Sequence, residues 1–238
     1  MTEPLFRDEP YLRSCEATVT AVSNNGLVIL DRTCFYPTGG GQPGDSGSFE
    51  LENGGKLKVI NTLYGETKDV IAHQLAECET PPQVGERLIA HLDWQRRYKH
   101  MRVHTALHLL SVVLPYPVTG GQISEGTGRL DFDIPEATLD KEELTAKLQA
   151  LVEEDHPVTF EWITEDELNA NPDLVKTMSV KPPTGSGRVR LIRIGEHVDL
   201  QPCGGTHVSH SNEIGRLRIS KLEKKGRQNR RVRIELED

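Results

Sequence analysis

The chain has 238 residues, of which 27% are charged and 36% hydrophobic, and its formal net charge is −8. That length suffices for one large or two modest domains with their own cores. The acidic balance excludes a protein that coats nucleic acid over its whole surface. The charge is unevenly spread. From Glu136 to Asp173 there are twelve Asp or Glu against Lys141 and Lys147, whereas from Gly215 to Arg233 there are nine Lys or Arg against Glu223 alone. The tail is therefore a basic patch, either a solvated charged strand pair or a surface that contacts phosphates. Cys15, Cys34, Cys78 and Cys203 are scattered, with no C-x-x-C, which suits a reduced compartment. The opening MTEPLFRDEP lacks the pattern of a signal peptide, and no apolar run approaches membrane-spanning length. A soluble, cytoplasmic protein is expected.

In chain order, the first ninety or so residues read as β. CEATVTAV, GLVILDR, SGSFELE and KLKVINTLY are short, rich in Val, Ile, Leu and Thr, and punctuated by Asn-Gly, Gly-Asp and Asn-Gly-Gly turn signals. With PPQVGERLIAHLDW as a closing turn and strand, they predict a small barrel or sandwich. The pattern then becomes helical from about Gln95 to Leu114, with Val103, Leu107, Leu110 and Leu114 on an apolar stripe and Pro115 as the stop. A second helix is predicted from Leu139 to about Glu154, capped by Asp140, with Leu144, Leu148 and Leu151 on one side. Strands are predicted at GRLDFDI, PVTFEWI, RVRLIRIG, GRLRISKLE and RRVRIELE, and VKPPTGSG reads as a mobile loop. The fold class expected is α+β: a β-barrel domain over residues 1–93, then an α+β domain over 94–238 with an antiparallel sheet and packed helices.

Two motifs carry metal-binding chemistry. His104 and His108 in HTALH are four apart, so on a helix both imidazoles project from one face. Cys203 and His207 in CGGTH repeat the offset. Three nitrogens and one thiolate suit Zn²⁺, which takes four such donors tetrahedrally. Two other readings fit these residues: hydrogen-bonded core histidines beside a small buried cysteine, or a Cys203 thiolate nucleophile with His207 as its base.

Taken together, FYPTGGGQPGD, HTALHLL, RLDFD, DLQPCGGTHV and IGRLRI resemble, in order, the signature segments of the AlaX-type alanyl-tRNA editing proteins. These are free-standing relatives of the alanyl-tRNA synthetase editing domain. The resemblance spans nearly the whole chain. No segment resembles an aminoacylation domain, and the chain stops soon after RVRIEL, as in the medium-length form of the family. The resemblance implies the editing-domain fold shared by threonyl- and alanyl-tRNA synthetases and a zinc site at His104, His108, Cys203 and His207. It also implies hydrolysis of the ester that joins serine, and sometimes glycine, to tRNA(Ala). A synthetase pocket that admits alanine discriminates weakly against glycine or serine, so a second site must remove the errors.

Zinc can lower the pKa of a water for attack on the aminoacyl carbonyl, yet four protein ligands fill a tetrahedral ion. Three alternatives stay open: one ligand is loose, the coordination expands, or the ion binds the substrate amine while water is activated elsewhere. Gln122 resembles a polar pocket residue of the family, with Ser124 and Thr127 as weaker candidates for the same task. Asp131 and Asp199 are candidates to fix a ligand imidazole. Thr38, Gly39, Gly40 and Gly41 offer backbone N–H groups to a ribose or phosphate, and Gln42 could orient a water; in the editing relatives this loop lies toward the active site. Arg96, Arg97, Lys99 and Arg102, with Arg227, Arg230, Arg231 and Arg233, are candidates to bind the tRNA acceptor stem. The alternatives are a zinc-stabilised tRNA-binding module without catalysis, and an editing enzyme for Ser-tRNA(Thr).

Overall fold

A computed structural model describes residues 1–77, 80–134, 139–175 and 187–237. Cys78 and most of the stretch expected as a mobile loop, 180–186, lie outside them. The protein is α+β and divides into two compact units, Met1–Tyr98 and Lys99–Asp238. Among the described residues no helix is long and apolar enough to cross a membrane.

The first unit contains β1 (Glu3–Pro4), β2 (Ser14–Val22), β3 (Val28–Leu30), β4 (Arg32–Thr33), β5 (Gly47–Leu51), β6 (Lys56–Tyr64), β7 (Ile71–Leu75) and β8 (Arg87–Leu92). Six of these close into a barrel in the order β2-β3-β7-β6-β5-β8, while β1 pairs with β4. Alternation explains closure: Leu57 and Val59 on β6, and Leu88 and Ala90 on β8, point inward between exposed neighbours. They meet Val19, Val28, Leu30, Phe35 and Phe49 in one core. The strand β7, IAHQL, lacks a strand-like pattern in the sequence because His73 interrupts its apolar run. That imidazole is wholly buried, with Nδ1 donating to the Val28 carbonyl at 3.1 Å and Nε2 accepting from Thr33 Oγ1 at 2.9 Å. It packs edge-on against Phe35 and Phe49.

Arg97, expected at an RNA-binding surface, is instead wholly buried in this unit. Its Nε donates to both Asp45 carboxylate oxygens at 3.1 and 2.9 Å, NH1 to the Pro10 carbonyl at 3.0 Å, and NH2 to the Cys34 carbonyl at 2.8 Å and to Asp45. A guanidinium removed from water needs such partners.

The boundary between units falls within α1 (Trp94–Val113), whose first turn is capped by the Asp93 carboxylate accepting from Arg96 N–H. The second unit continues through β9 (Val118–Ser124), β10 (Thr127–Asp133), α2 (Lys141–Glu153), β11 (Val158–Thr164), α3 (Glu165–Ala170), β12 (Arg188–Ile194), β13 (Asp199–Pro202), β14 (Leu217–Lys224) and β15 (Asn229–Leu236). One antiparallel sheet runs β14-β15-β10-β9 and another β11-β12-β13. The predicted stripe on α1 is real but incomplete, since Met101, Ala106 and Leu109 are buried as well and the helix is a core element. It lies so close to β10 that a Cβ on Gly128 would stand 2.6 Å from Val103 Cγ1. On α2, capped by Asp140 as predicted, Thr145 and Gln149 accept the Ile219 and Leu217 N–H groups and so satisfy the edge of β14. Leu144, Leu148 and Val152 form its buried face, with Leu151 at the margin.

Candidate metal centre

The α1 helix carries His104 and His108 one turn apart, with ring centroids 5.3 Å from each other. The turn after β13 brings Cys203 and His207 to them. The His207 ring lies 4.3 Å from that of His104 and 4.6 Å from that of His108. Cys203 Sγ is 3.4 Å from both His104 Nε2 and His207 Nε2, and one ligand atom from each of the four residues lies within 4.8 Å of the others. With Zn–N near 2.0 Å and Zn–S near 2.3 Å, tetrahedral ligand atoms stand roughly 3.3–3.6 Å apart, so the observed 3.4 Å contacts suit a shared ion. The cluster could hold a metal ion.

Hydrogen bonds behind the cluster select the ring tautomers. His108 Nδ1–H donates to Asp199 Oδ2 at 3.0 Å. Thr105 Oγ1 donates its single proton to the Met101 carbonyl at 3.0 Å, so its 3.2 Å contact with His207 Nδ1 is a bond it accepts. Val208 N–H donates to the same hydroxyl at 3.3 Å. Two of the three imidazoles therefore hold a proton on Nδ1 and turn Nε2 inward, the arrangement that becomes a metal ligand once any proton on Nε2 leaves. Asp199 is held in turn by Gln201 Nε2 at 2.7 Å, which also donates to Ser111 Oγ at 3.2 Å. Arg190 NH1 fastens the CGGTH turn by donating to the Gly205 carbonyl at 2.9 Å and the Cys203 carbonyl at 3.3 Å.

Electrostatics match this geometry. Burial alone would raise the Cys203 thiol, but the adjacent His104 and His207 rings and hydrogen bonds from His104 and His108 hold it well below its ordinary value. Burial would likewise depress His108, yet Asp199 and Cys203 raise it to about 9. His207 is held well below its ordinary value, first by burial and then by His104. A thiolate among imidazoles is the state in which such a set takes up a cation.

The other expected residues are distributed differently. Asp131 fixes no ligand ring: it accepts from Arg129 and, at 2.7 and 2.9 Å, from Arg231. That leaves Arg231 as half of an ion pair on the sheet. The imidazole-fixing carboxylate is Asp199. Gln122 lies inside β9, exposed, where it accepts from Arg129 Nε at 3.2 Å. Ser124 and Thr127 are exposed on the same hairpin. Arg102 donates to the Ile214 carbonyl, Lys99 pairs with Glu125, and Arg233 pairs with Glu223. Arg96 and Arg230 are half-buried, and Arg227 is exposed.

The glycine-rich segment belongs to the first unit and forms a tight reverse turn. Gly39 and Gln42 exchange backbone hydrogen bonds of 3.1 and 2.9 Å across Gly40 and Gly41, which have φ of 57° and 83°. Two consecutive positive φ values are the reason for that glycine pair. Gln42 is 1% exposed, while Gly40 and Gly41 are exposed. Thr38 Oγ1 is bound to the Thr62 carbonyl and accepts from Gly44 N–H. Thr105, Ser111, Gln201 and Arg190 were not anticipated. The alternation Asp199, Gln201, Cys203 places all three on one side of a strand and is the sequence cue that reveals Gln201.

Comparison with known proteins is consistent with this site. Residues 189–233 match the family described as Threonyl and Alanyl tRNA synthetase second additional domain, and residues 11–96 match that described as tRNA synthetases class II (A). The chain is 34% identical over 248 residues to the alanyl-tRNA editing protein AlaX-M of Methanosarcina acetivorans, covering 100% of both chains. It is 33% identical over 240 residues to the AlaX-M of Saccharolobus solfataricus, covering 98% of each. The alanine–tRNA ligase of Pyrobaculum neutrophilum is 32% identical over 235 residues, 94% of this chain but 25% of that protein. Identity above 30% along the full length of both chains settles kinship: the chain belongs to the AlaX-M alanyl-tRNA editing family.

Proposed function

We propose that this protein is a trans-acting aminoacyl-tRNA deacylase that hydrolyses the ester of tRNA(Ala) mischarged with serine, and with glycine, in the cytoplasm. The observation that carries the reading is the convergence of His104, His108, Cys203 and His207 with two rings locked in the ligand tautomer, in a member of the alanyl-tRNA editing family. A nucleophilic cysteine needs one base, whereas here three imidazoles meet one thiolate and Nδ1 protons are anchored behind them. That is the construction of a metal site. The donor set fits zinc, which when bound supplies positive charge to activate a water or to hold the substrate's amino group.

The chain's own groups do the rest. Asp199 and Thr105 keep the His108 and His207 rings in place, Gln201 holds Asp199, and Arg190 fixes the turn that presents Cys203. On the outer face of β10 and β15, Arg231 and Arg129 are partly neutralised by Asp131, which leaves the sheet with surplus positive charge for the phosphates of an acceptor stem. Arg230 on β15 extends this set, and Arg96 in the first unit is a separate candidate for phosphate contact. The exposed residues Gly40 and Gly41 can offer N–H groups to a ribose or phosphate oxygen, and Gln122 is suited to a polar contact with the amino-acid part of the substrate.

The test is a deacylation panel with metal-loaded protein and Ser-tRNA(Ala), Gly-tRNA(Ala), Ala-tRNA(Ala) and Ser-tRNA(Thr). Serine is released from tRNA(Ala) far faster than alanine, and faster than from tRNA(Thr). Equal rates on the first three, or no release at all, would refute the proposal. His108→Ala folds and binds tRNA but does not deacylate if the site is catalytic. Loss of folding and RNA binding together would mark a zinc-stabilised binding module instead.

A further inference from the structure

The register of the three-stranded sheet places an aromatic side chain on the same face as the cluster. Phe160 stands opposite Ile192 and Ile192 opposite Gln201; Trp162 stands opposite Arg190, whose carbonyl accepts Cys203 N–H. Residues in one row across a sheet share a face. On the β13 side that face is turned to α1, through the bonds of Asp199 to His108 and Gln201 to Ser111. On the β11 side Phe160 is 38% exposed, unusual for a ring this size. The Arg190 guanidinium lies over it, 4.7 Å from the ring centre, and the same guanidinium holds the Cys203 and Gly205 carbonyls. The ring is thus backed by a cation and tied to the turn that carries the cluster. Two inter-strand spacings, roughly 10 Å, separate its strand from β13.

We propose that Phe160, supported by Arg190, is the platform on which the base of the substrate's 3′-terminal adenosine stacks while its aminoacyl ester lies at the cluster. The inference rests on the deacylase reading above. An ester at the cluster puts the adjoining nucleoside within one ribose and base of it, and unpaired RNA ends are held by aromatic rings and guanidinium planes. The ring positions the substrate and takes no part in bond making. Trp162, half-buried two residues along the same face, borders the platform.

The experiment is a kinetic cycle with two substrates, Ser-tRNA(Ala) with its terminal adenine and the same molecule with that base removed, acting on wild type, Phe160→Ala and Phe160→Trp. Loss of the base raises the wild-type KM roughly 5- to 100-fold with kcat within a few-fold. Phe160→Ala shows a similar rise on the intact substrate and little further change on the abasic one, while Phe160→Trp retains the preference. Metal content equal to wild type confirms that the Arg190–Cys203 turn is intact; if Phe160→Ala loses metal, Phe160→Leu replaces it in the cycle. Multiplicative losses, with the variant discriminating between the two substrates as wild type does, overturn the inference, and a concentration-dependent dimer lost in the variant would then assign the face to a second copy. A wild type inactive on both substrates defeats the deacylase reading, and this inference with it.

Discussion

Replacing Arg97 with alanine provides a sharp contrast between two roles for one arginine. In sequence it belongs to the run Arg96, Arg97, Lys99, Arg102 beside a metal-binding helix, where it reads as a phosphate contact. In the structure it is 0% exposed and donates to Asp45, Pro10 and Cys34. Truncation strands the Asp45 carboxylate, itself 1% exposed, although the Tyr36 N–H still donates to it. Breaking a buried ion pair from one side costs about 3–5 kcal/mol, against total stabilities of about 5–15 kcal/mol. With a urea slope of about 2 kcal/mol per molar, the midpoint of this unit falls by about 2 M. Trp94, which packs on the barrel core, reports the transition in a Trp162→Phe background. Arg97→Lys keeps the charge but not the fork that reaches both oxygens and two carbonyls, and falls between. Removing both charges with Arg97→Met and Asp45→Leu recovers part of the loss. The reasoning fails if Arg97→Ala leaves the midpoint in place and instead weakens tRNA binding with a reduced salt dependence.

Three further outcomes follow from the same contacts. Asp199→Ala leaves the His108 Nδ1–H without its acceptor and lowers metal affinity about 10- to 100-fold; competition against a chromophoric chelator measures this, and unchanged affinity would contradict the role given to Asp199. Thr105→Val, close in shape, removes the acceptor for His207 Nδ1–H and Val208 N–H, weakens metal binding in the same assay and lowers the melting temperature of the metal-free protein; wild-type values in both would refute the tautomer argument. Burial depresses His73 from 6.5 to about 4, so between these values the unfolded chain binds a proton the folded chain refuses. Stability of the barrel unit is full above pH 6.5 and falls as pH drops toward 4, by about 3 kcal/mol at 1.36 kcal/mol per unit over 2.5 units. Urea titrations at pH 7 and 4.5 measure that slope, and a His73→Leu variant with the same slope would assign it to other groups.

What the sequence by itself determined was local chemistry and its order. Alternation and turn residues marked most barrel strands, a four-residue offset put two imidazoles on one helix face, and Asp140 announced the start of α2, because each depends on neighbours within one or two turns of chain. The motif order determined the family on the same basis. Strand β7 escaped because a histidine stands where an apolar residue would continue the pattern, and only the barrel interior supplies the Val28 and Thr33 partners that make it tolerable there. Tertiary structure alone decided which carboxylate serves the site. Asp131 and Asp199 lie in equally suggestive motifs, but β10 turns Asp131 toward Arg129 and Arg231, while β13 sets Asp199 against α1 beside His108. It also decided that Arg97 is an internal counter-ion, through a contact 52 residues away in sequence. Partners that distant are chosen by packing, and packing is a property of the whole core, which no local pattern encodes.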